Sequence, residues 1–338
     1  MFTFKKIASA VAILAGTFAL LAAGAAAAQE RTIKASLVLS KDHSLGIGLN
    51  HMAQCVAQKS GGKLKMQNFF DGALGNDQAV VQQVRTGSVD MVVTATSYMA
   101  TIVPQAGVFD LPFLFTNEQE ADAALDGKAG ALVAQKLEPA GIVTLSYWEN
   151  GFRNMTNSRR PINRMEDLQG LKMRALPTLV MLATFKALGG FAIPMPFPEL
   201  YSALETKTVD GQENPTNLIE SVKFYEVQKY LSITRHLYNP VAVMFSKRIF
   251  DTLPAADQSV LRDCGRAATI EQRKVNRQQV DQAANRLKEK GMMINVVSDA
   301  EIQRMRQATA PVTEAQWPAL GADMKAALED DLRRARTR

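Results

Sequence analysis

The apolar positions of this chain switch between two spacings, and the switches mark out its elements. Thr32–Leu39 is a β-rich apolar run. Leu45–Lys59 then carries Leu49, Met52 and Val56 at helical spacing, until Gly61 and Gly62 stop it. Lys63–Phe70 alternates like a strand. Asn76 caps a helix with Val80, Val81 and Val84 on its inner side, Gly87 ends it, and Val89–Ala95 is a short apolar strand. Strand, helix, strand, helix, strand in this order predicts an α/β protein whose mostly parallel sheet is covered by helices on its faces.

A second series follows the strand Ile142–Trp148 and opens a second lobe near Asn150. Leu171–Leu176 and Phe191–Met195 read as strands. Thr178–Leu188 and Phe197–Thr206 read as helices, with Pro177 and Pro198 near their starts. Val209-Asp210-Gly211 repeats the strand-to-turn step of Val89-Asp90, and Gly107 to Phe115 reads as aromatic core packing around Pro112. Strands near Leu231 and over Val241–Phe245 return the chain across the junction. Ala255–Lys290 is the longest helical candidate, interrupted only by Gly265. Its apolar positions are too sparse for a coiled coil and predict a long surface helix bracing both lobes. Met293–Val297 adds a last strand, and the basic end Arg333–Arg338 is expected to fray.

Composition narrows the class. The chain has 338 residues, enough for about two lobes, and its net charge of +6 falls to +4 once Lys5 and Lys6 are set aside. The remaining charges are scattered, which excludes the basic blocks of a nucleic-acid binder. Residues 1–28 have the parts of a secretory signal: Lys5 and Lys6, the apolar stretch Ile7 to Leu21, and Ala26-Ala27-Ala28 before Gln29. An uncleaved anchor is the competing reading, opposed by the small-residue end. No cysteine follows the cleavage site and no later run could span a bilayer, so the mature protein is expected to be exported to the periplasm and soluble. Cys55 and Cys264 are then either one disulfide or two buried thiols. There is no third cysteine to suggest a metal site.

Catalytic signatures are missing: H-E-x-x-H, G-x-S-x-G, the phosphate-binding loop and C-x-x-C do not occur. Gly46-Ile47-Gly48 follows the first strand, but His51 stands where a dinucleotide fingerprint needs its third glycine. The remaining chemistry lies between Trp148 and Pro215. Arg153 and Arg174 sit where a strand meets a loop and offer the planar fork that grips a carboxylate, and Asn214 adds a donor and an acceptor. Each arginine equally suits a structural salt bridge. Open α/β sheets place ligands at the carboxyl ends of their strands, which brings in His43 and Thr94–Ser97, Thr96 among them. His43 could also be a solvated loop residue, and Trp148 and Tyr238 either pocket wall or core.

The ordered words of this stretch, G-F-R-N-M-T-N, G-L-K-M-R, F-P-E-L-Y-S-A-L and V-D-G-Q-E-N-P, resemble the DctP-type solute-binding proteins of TRAP transporters. So do Gly72–Met91, D-L-P-F-L-F and K-F-Y-E-V-Q-K-Y, so the likeness spans nearly the whole mature chain. It implies a two-lobed, type II-like periplasmic binding fold, each lobe a mixed, mostly parallel sheet, joined by crossing strands and a long helix. Lobe I is then 29–150 with about 240–279, and lobe II about 151–239 with 280–338. The resemblance makes Arg174 the main carboxylate clamp, Arg153 a further cationic contact, Asn214 a hydrogen-bond partner and Phe197 a packing surface. Sialic-acid-binding members place a glutamate after the third strand, where Val93–Thr96 has none; a compact organic acid is therefore expected. It further implies no cofactor, no catalysis, a monomer, and delivery to small and large integral membrane subunits driven by an ion gradient. An ABC-type or sensory binding protein for a similar anion is the alternative, and an exported enzyme a third.

Overall fold

The computed structural model describes residues 30–337, so the expected leader 1–28 and Arg338 lie outside the described residues. Three parallel strands come first: β1 (Arg31–Leu37), β2 (Leu64–Phe69) and β3 (Met91–Ala95), joined through α1 (Ser44–Lys59) and α2 (Asp77–Thr86). Parallel neighbours need a crossover, and the helical spacing between them supplies it. Asn76 caps α2 by accepting from the Ala79 amide at 3.0 Å, and Gly87 ends it with φ 82°. After α3 (Glu118–Leu125) and α4 (Lys128–Leu137) the chain enters β4 (Ile142–Asn157). The second series is β5 (Lys172–Ala175), α5 (Leu179–Ala187), β6 (Phe191–Pro194), α6 (Leu200–Glu205), β7 (Gly211–Asn214) and α7 (Thr216–Ser221). It ends in β8 (Tyr230–Ser246). Then come α8 (Lys247–Phe250), α9 (Ala255–Glu289), β9 (Met293–Val296), α10 (Asp299–Leu320) and α11 (Ala322–Arg336).

The strands form one twisted order, β2-β1-β3-β8-β4-β7-β5-β6, with β9 beside β8. Each end is a parallel group, and the pair in the middle, β4 and β8, is antiparallel and runs through both lobes. Successive residues on these strands serve opposite faces. Val92 and Met244 pack with Phe109 and Leu125 on one side, while Val93 and Phe245 pack with Leu49 and Leu261 on the other.

The crossing strands differ from expectation. The sequence pattern breaks at Asn150-Gly151 and at Pro240, yet β4 continues for 16 residues and β8 for 17. The breakers are absorbed as irregularities. The register slips between Glu149 and Gly151, where Gly151 takes φ 114°, and Pro240 pairs with Glu149 at that same slip. A second slip lies between Arg153 and Met155, where Asn154 Oδ1 accepts from the Thr234 and Arg235 amides, both at 3.1 Å.

Helix α9 is continuous through Gly265 because that residue faces β4: a Cβ there would lie 3.2 Å from the Leu145 Cβ. Its apolar positions are sparse for a different reason than surface exposure. Its inner face buries Gln272, Arg273 and Asn276. The C-terminus also departs from expectation. Helix α11 runs to Arg336 rather than fraying, held by Arg336 to Glu120 at 2.8 Å and by Asp331, which accepts from the Ala129 amide at 2.8 Å. Its Met324, Leu328 and Leu332 join the core of α3 and α4, so this part of 280–338 packs on the first lobe, not the second. Arg304 bonds to Glu166 while Arg306 donates to the Phe113 carbonyl, so α10 carries the chain across. No helix among the described residues is long and apolar enough to cross a membrane.

Cys55 of α1 and Cys264 of α9 are joined in a disulfide, with Cα atoms 5.6 Å apart and a sequence separation of 209. The bridge fixes the first part of α9 to the first lobe and removes a very long loop from the unfolded ensemble. Replacing both cysteines by serine is expected to lower stability by about 2–5 kcal/mol in denaturant unfolding. Unchanged unfolding of the double variant would assign the bridge no stabilising role.

Candidate ligand-binding site

The carboxyl ends of the strands meet the middle of the crossing pair at a cavity of about 50 Å³. The first lobe contributes Asp77, Thr94 and Tyr98. The second contributes Arg174, Phe197 and Asn214, and the crossing strands add Asn150, Arg153 and Asn239. Leu37, Leu45, Leu176 and Val241 complete the wall with apolar surface. Arg174, Arg153 and Asn214 are 0%, 1% and 2% exposed, so a solute reaches them only when the lobes separate.

The two arginines are in opposite electrostatic states. Arg153 is paired. Its Nε and Nη2 hold the carboxylate of Glu213, Nη2 at 2.7 Å from Oε1, and Nη1 donates to Asn239 Oδ1 at 3.2 Å. His236 Nε2 lies 3.4 Å from the same carboxylate. Burial alone would push Glu213 up, but the charge and hydrogen bonds of Arg153, with His236, hold it at about 2.

Arg174 has no carboxylate within salt-bridge distance among the described residues. Its Nε and Nη2 both donate to the Met195 carbonyl, at 2.9 and 2.8 Å, and its Nη1 is buried without a partner. That carbonyl follows β6, the strand paired with β5, so the sheet itself aims the guanidinium. Its carbon stands 5.9 Å from the centre of the Phe197 ring. Burial pushes the Arg174 pKa down, partly offset by Tyr98 and Glu213. Two further cavity atoms are unpartnered, Asn150 Oδ1 and Asn239 Nδ2. A buried polar atom without a partner needs an explanation, and here a donor, an acceptor and a second donor border one cavity.

The residues singled out from the sequence divide into two groups. Arg174, Arg153, Asn214 and Phe197 come together on the wall. Four others do not. His43 is buried as the N-cap of α1, its Nδ1 accepting from the Leu45 amide at 3.2 Å, and burial lowers it to about 4. Thr96 is buried beyond the wall that Thr94 and Ala95 form. Trp148 points into the core on the α1 and α9 side. Tyr238 packs against Phe115 and Phe152 and donates to Glu149 at 3.2 Å. For Trp148 and Tyr238 the β-strand alternation turns the side chain away from the cavity, whereas His43 and Thr96 lie beyond the ends of β1 and β3.

Sequence reasoning missed Asp77. It is the first residue of α2, where an acid is commonplace, and nothing local signals that the helix start faces the cavity. Its Oδ1 accepts from the Thr94 hydroxyl at 2.5 Å. Burial pushes the Asp77 pKa up, opposed by the Thr94 hydroxyl, the backbone amide and Arg174. A carboxyl group therefore does stand at the third strand, supplied by the helix before it. Asn150, read only as the start of the second lobe, and Asn239 were missed for the same lack of a local signal.

Beneath the wall, Asp110 accepts from Ser97 Oγ at 2.6 Å and keeps Oδ2 unpartnered. Burial raises it from 3.8 to about 7, against the pull of Ser97 and Arg153. A raised carboxyl binds its proton more tightly folded than unfolded, so it subtracts stability progressively as pH rises from about 4 to about 7. Asp110→Asn is thus expected to melt above the wild type at pH 8, with the difference vanishing by pH 4. A difference in melting temperature that ignores pH would refute this.

The profile of the bacterial extracellular solute-binding proteins, family 7, matches residues 35–331. The 2,3-diketo-L-gulonate-binding periplasmic protein YiaO of Escherichia coli is 38% identical, over 84% of this chain and 88% of its own length. Two solved structures share the fold. One is the sugar acid binding protein DctPAm of Advenella mimigardefordensis in complex with galactonate, with a TM-score of 0.88 and 40% identity. It matches 91% of this chain and 99% of that one. The other is a TRAP periplasmic solute-binding protein of Polaromonas sp. JS666 bound to D-erythronate, with a TM-score of 0.86 and 36% identity. It matches 89% of this chain and 98% of that one. On this match across nearly the whole described chain, the protein belongs to family 7 of the bacterial extracellular solute-binding proteins, the DctP family of TRAP transport systems.

Proposed function

We propose that this protein captures a small hydroxylated monocarboxylate between its lobes and delivers it to the small and large membrane subunits of a TRAP transporter. Delivery feeds uptake driven by an ion gradient. The protein acts as a monomer in the periplasm, without a cofactor or catalysis of its own. The observation that carries the reading is the uncompensated charge of Arg174. A buried cation whose nearest acceptor is a backbone carbonyl requires an anion to complete it. Each hydrogen bond from the guanidinium to a carboxylate is worth roughly 1.5–3 kcal/mol.

The charge count favours one carboxylate over two. Arg153 is already neutralised by Glu213, and Asp77 is itself a carboxyl on the opposite wall. A second carboxylate on the ligand would meet Asp77 and, as an unpartnered donor among the described residues, only the neutral Asn239 Nδ2, whereas a hydroxyl would find acceptors in Asp77 and in Asn150 Oδ1. This narrows the expectation of a compact organic acid, which rested on finding no glutamate within Val93–Thr96, to a hydroxylated one. The galactonate and D-erythronate held by the two structural relatives are hydroxylated monocarboxylates and agree with the count.

Titration calorimetry of ligand-stripped protein against galactonate and succinate tests both parts. Arg174→Ala should weaken the bound acid at least a hundredfold while melting cooperatively; affinity within threefold of wild type would remove the clamp. Wild-type protein should prefer galactonate to succinate, and Asp77→Ala should narrow that preference about tenfold or more. A preference for succinate that Asp77→Ala leaves untouched would overturn the monocarboxylate reading.

A further inference from the structure

We propose that Asn276 is a positioning residue that couples the ligand cavity to closure of the lobes. This rests on reading the protein as one that closes over its solute. The side chain is fully buried in the middle of α9, and its carboxamide reaches three parts of the molecule at once. Oδ1 accepts from Ser44 Oγ, at the start of α1 in the first lobe, at 2.7 Å. It also accepts from Asn217 Nδ2, on α7 in the second lobe, at 2.8 Å. Nδ2 donates to Glu149 Oε1 at 2.9 Å and to the Asn150 carbonyl at 3.3 Å, both on the crossing strand. Two N–H groups and two lone pairs are all the carboxamide has, and all are used.

Asn276 lies in the stretch of α9 where contacts to the first lobe give way to contacts to the second. Before it, Cys264 is bridged to α1, and Gln272 exchanges hydrogen bonds with the Glu149 backbone at 2.8 and 2.7 Å. One turn after it, Gln279 still accepts from the Ser44 amide at 3.1 Å, and further on Arg286 Nη2 donates to Glu220 on α7 at 2.7 Å. The strand that Asn276 holds is irregular there. Gly151 takes φ 114° within the register slip, and a Cβ on it would lie 3.4 Å from Asn276 Nδ2. Asn150, whose carbonyl Asn276 binds, lines the cavity and donates to Asn239 Oδ1 at 3.0 Å, the same oxygen that Arg153 binds. One peptide unit separates the solute from the latch.

The disulfide ties this part of α9 to the first lobe, so opening about the slip breaks the Asn217 bond and spares the Ser44 bond. Closure remakes it, and a solute that fixes Asn150 holds the acceptor in place. The latch therefore acts on how long the closed state lasts more than on how fast a solute arrives. Asn217→Ala removes only the second-lobe arm. Asn276→Asp keeps the shape and both acceptor contacts but sets a second carboxylate against Glu149.

Stopped-flow binding of galactonate and small-angle scattering of the ligand-free protein decide between a latch and a fold contact. Asn217→Ala should raise the galactonate off-rate about five- to tenfold and leave the on-rate within twofold. Asn276→Asp should raise the off-rate further and enlarge the radius of gyration of the ligand-free protein. Conversely, wild-type off-rates and scattering in Asn217→Ala, or a lowered melting temperature with an unchanged off-rate, would reduce the cluster to a fold contact. If Asn276→Asp does not fold, the off-rate of Asn217→Ala is decisive by itself. Should wild-type protein fail to bind galactonate, the solute reading fails. The scattering then judges the latch alone: it stands if either variant enlarges the ligand-free protein and falls if neither does.

Discussion

A carboxylate buried in the middle of β4 governs what surrounds it. Glu149 is 2% exposed at the point where the strand slips register, and a charge left alone there would cost several kcal/mol. Only a second element carrying donors can relieve it. Helix α9 brings Asn276 at 2.9 Å and the guanidinium of Arg277 at 2.8 Å, and β8 brings the Tyr238 hydroxyl. Arg277 also holds both oxygens of Asp122 at 2.8 Å, and Arg273 bonds Asp126 at 2.6 Å, which draws α3 onto the same helix. The 35-residue helix is thus fixed by its polar inner face as much as by Leu261 and Ala268.

The same electrostatic rule divides the two arginines of the cavity into different kinds of residue. Arg153 meets its carboxylate within the chain, and its charge and hydrogen bonds hold the Glu213 pKa down against burial. Such a pair stiffens the junction of β4 and β7 and has little charge left for a solute. Arg174 is held in place by a carbonyl that fixes direction without cancelling charge. Orientation from the backbone with charge left over is what a reversible anion site requires, because a resident carboxylate would compete with every solute.

The lobes themselves were legible, because alternating strand and helix periods and the caps at Asn76 and Gly87 are local properties. The crossing strands were not. Asn150-Gly151 and Pro240 are breakers when read locally, and only their meeting across the sheet turns two breaks into one bulge. The cavity follows the same division. Arg174, Phe197 and Asn214 lie within words that mark the family, while Asp77, Asn150 and Asn239 carry no local signal until the fold faces them inward. His43 shows the reverse error: a polar residue after β1 satisfied a helix end instead. The polar face of α9 was misread because buried Gln, Arg and Asn look like solvent-facing residues to any hydrophobicity pattern.

That blind spot has a physical origin. Apolar packing is written in one residue at a time, since a leucine gains from burial next to almost any neighbour. A buried carboxamide such as that of Asn276 gains nothing until every partner is present, and its four partners are contributed by α1, β4 and α7. Interactions that are all-or-none in this way are also those a hinge can switch. Withdrawing one partner changes the balance between two states without disturbing the apolar layers on either side. The parts of this chain that resist reading from sequence are therefore those whose partners must all be in place at once.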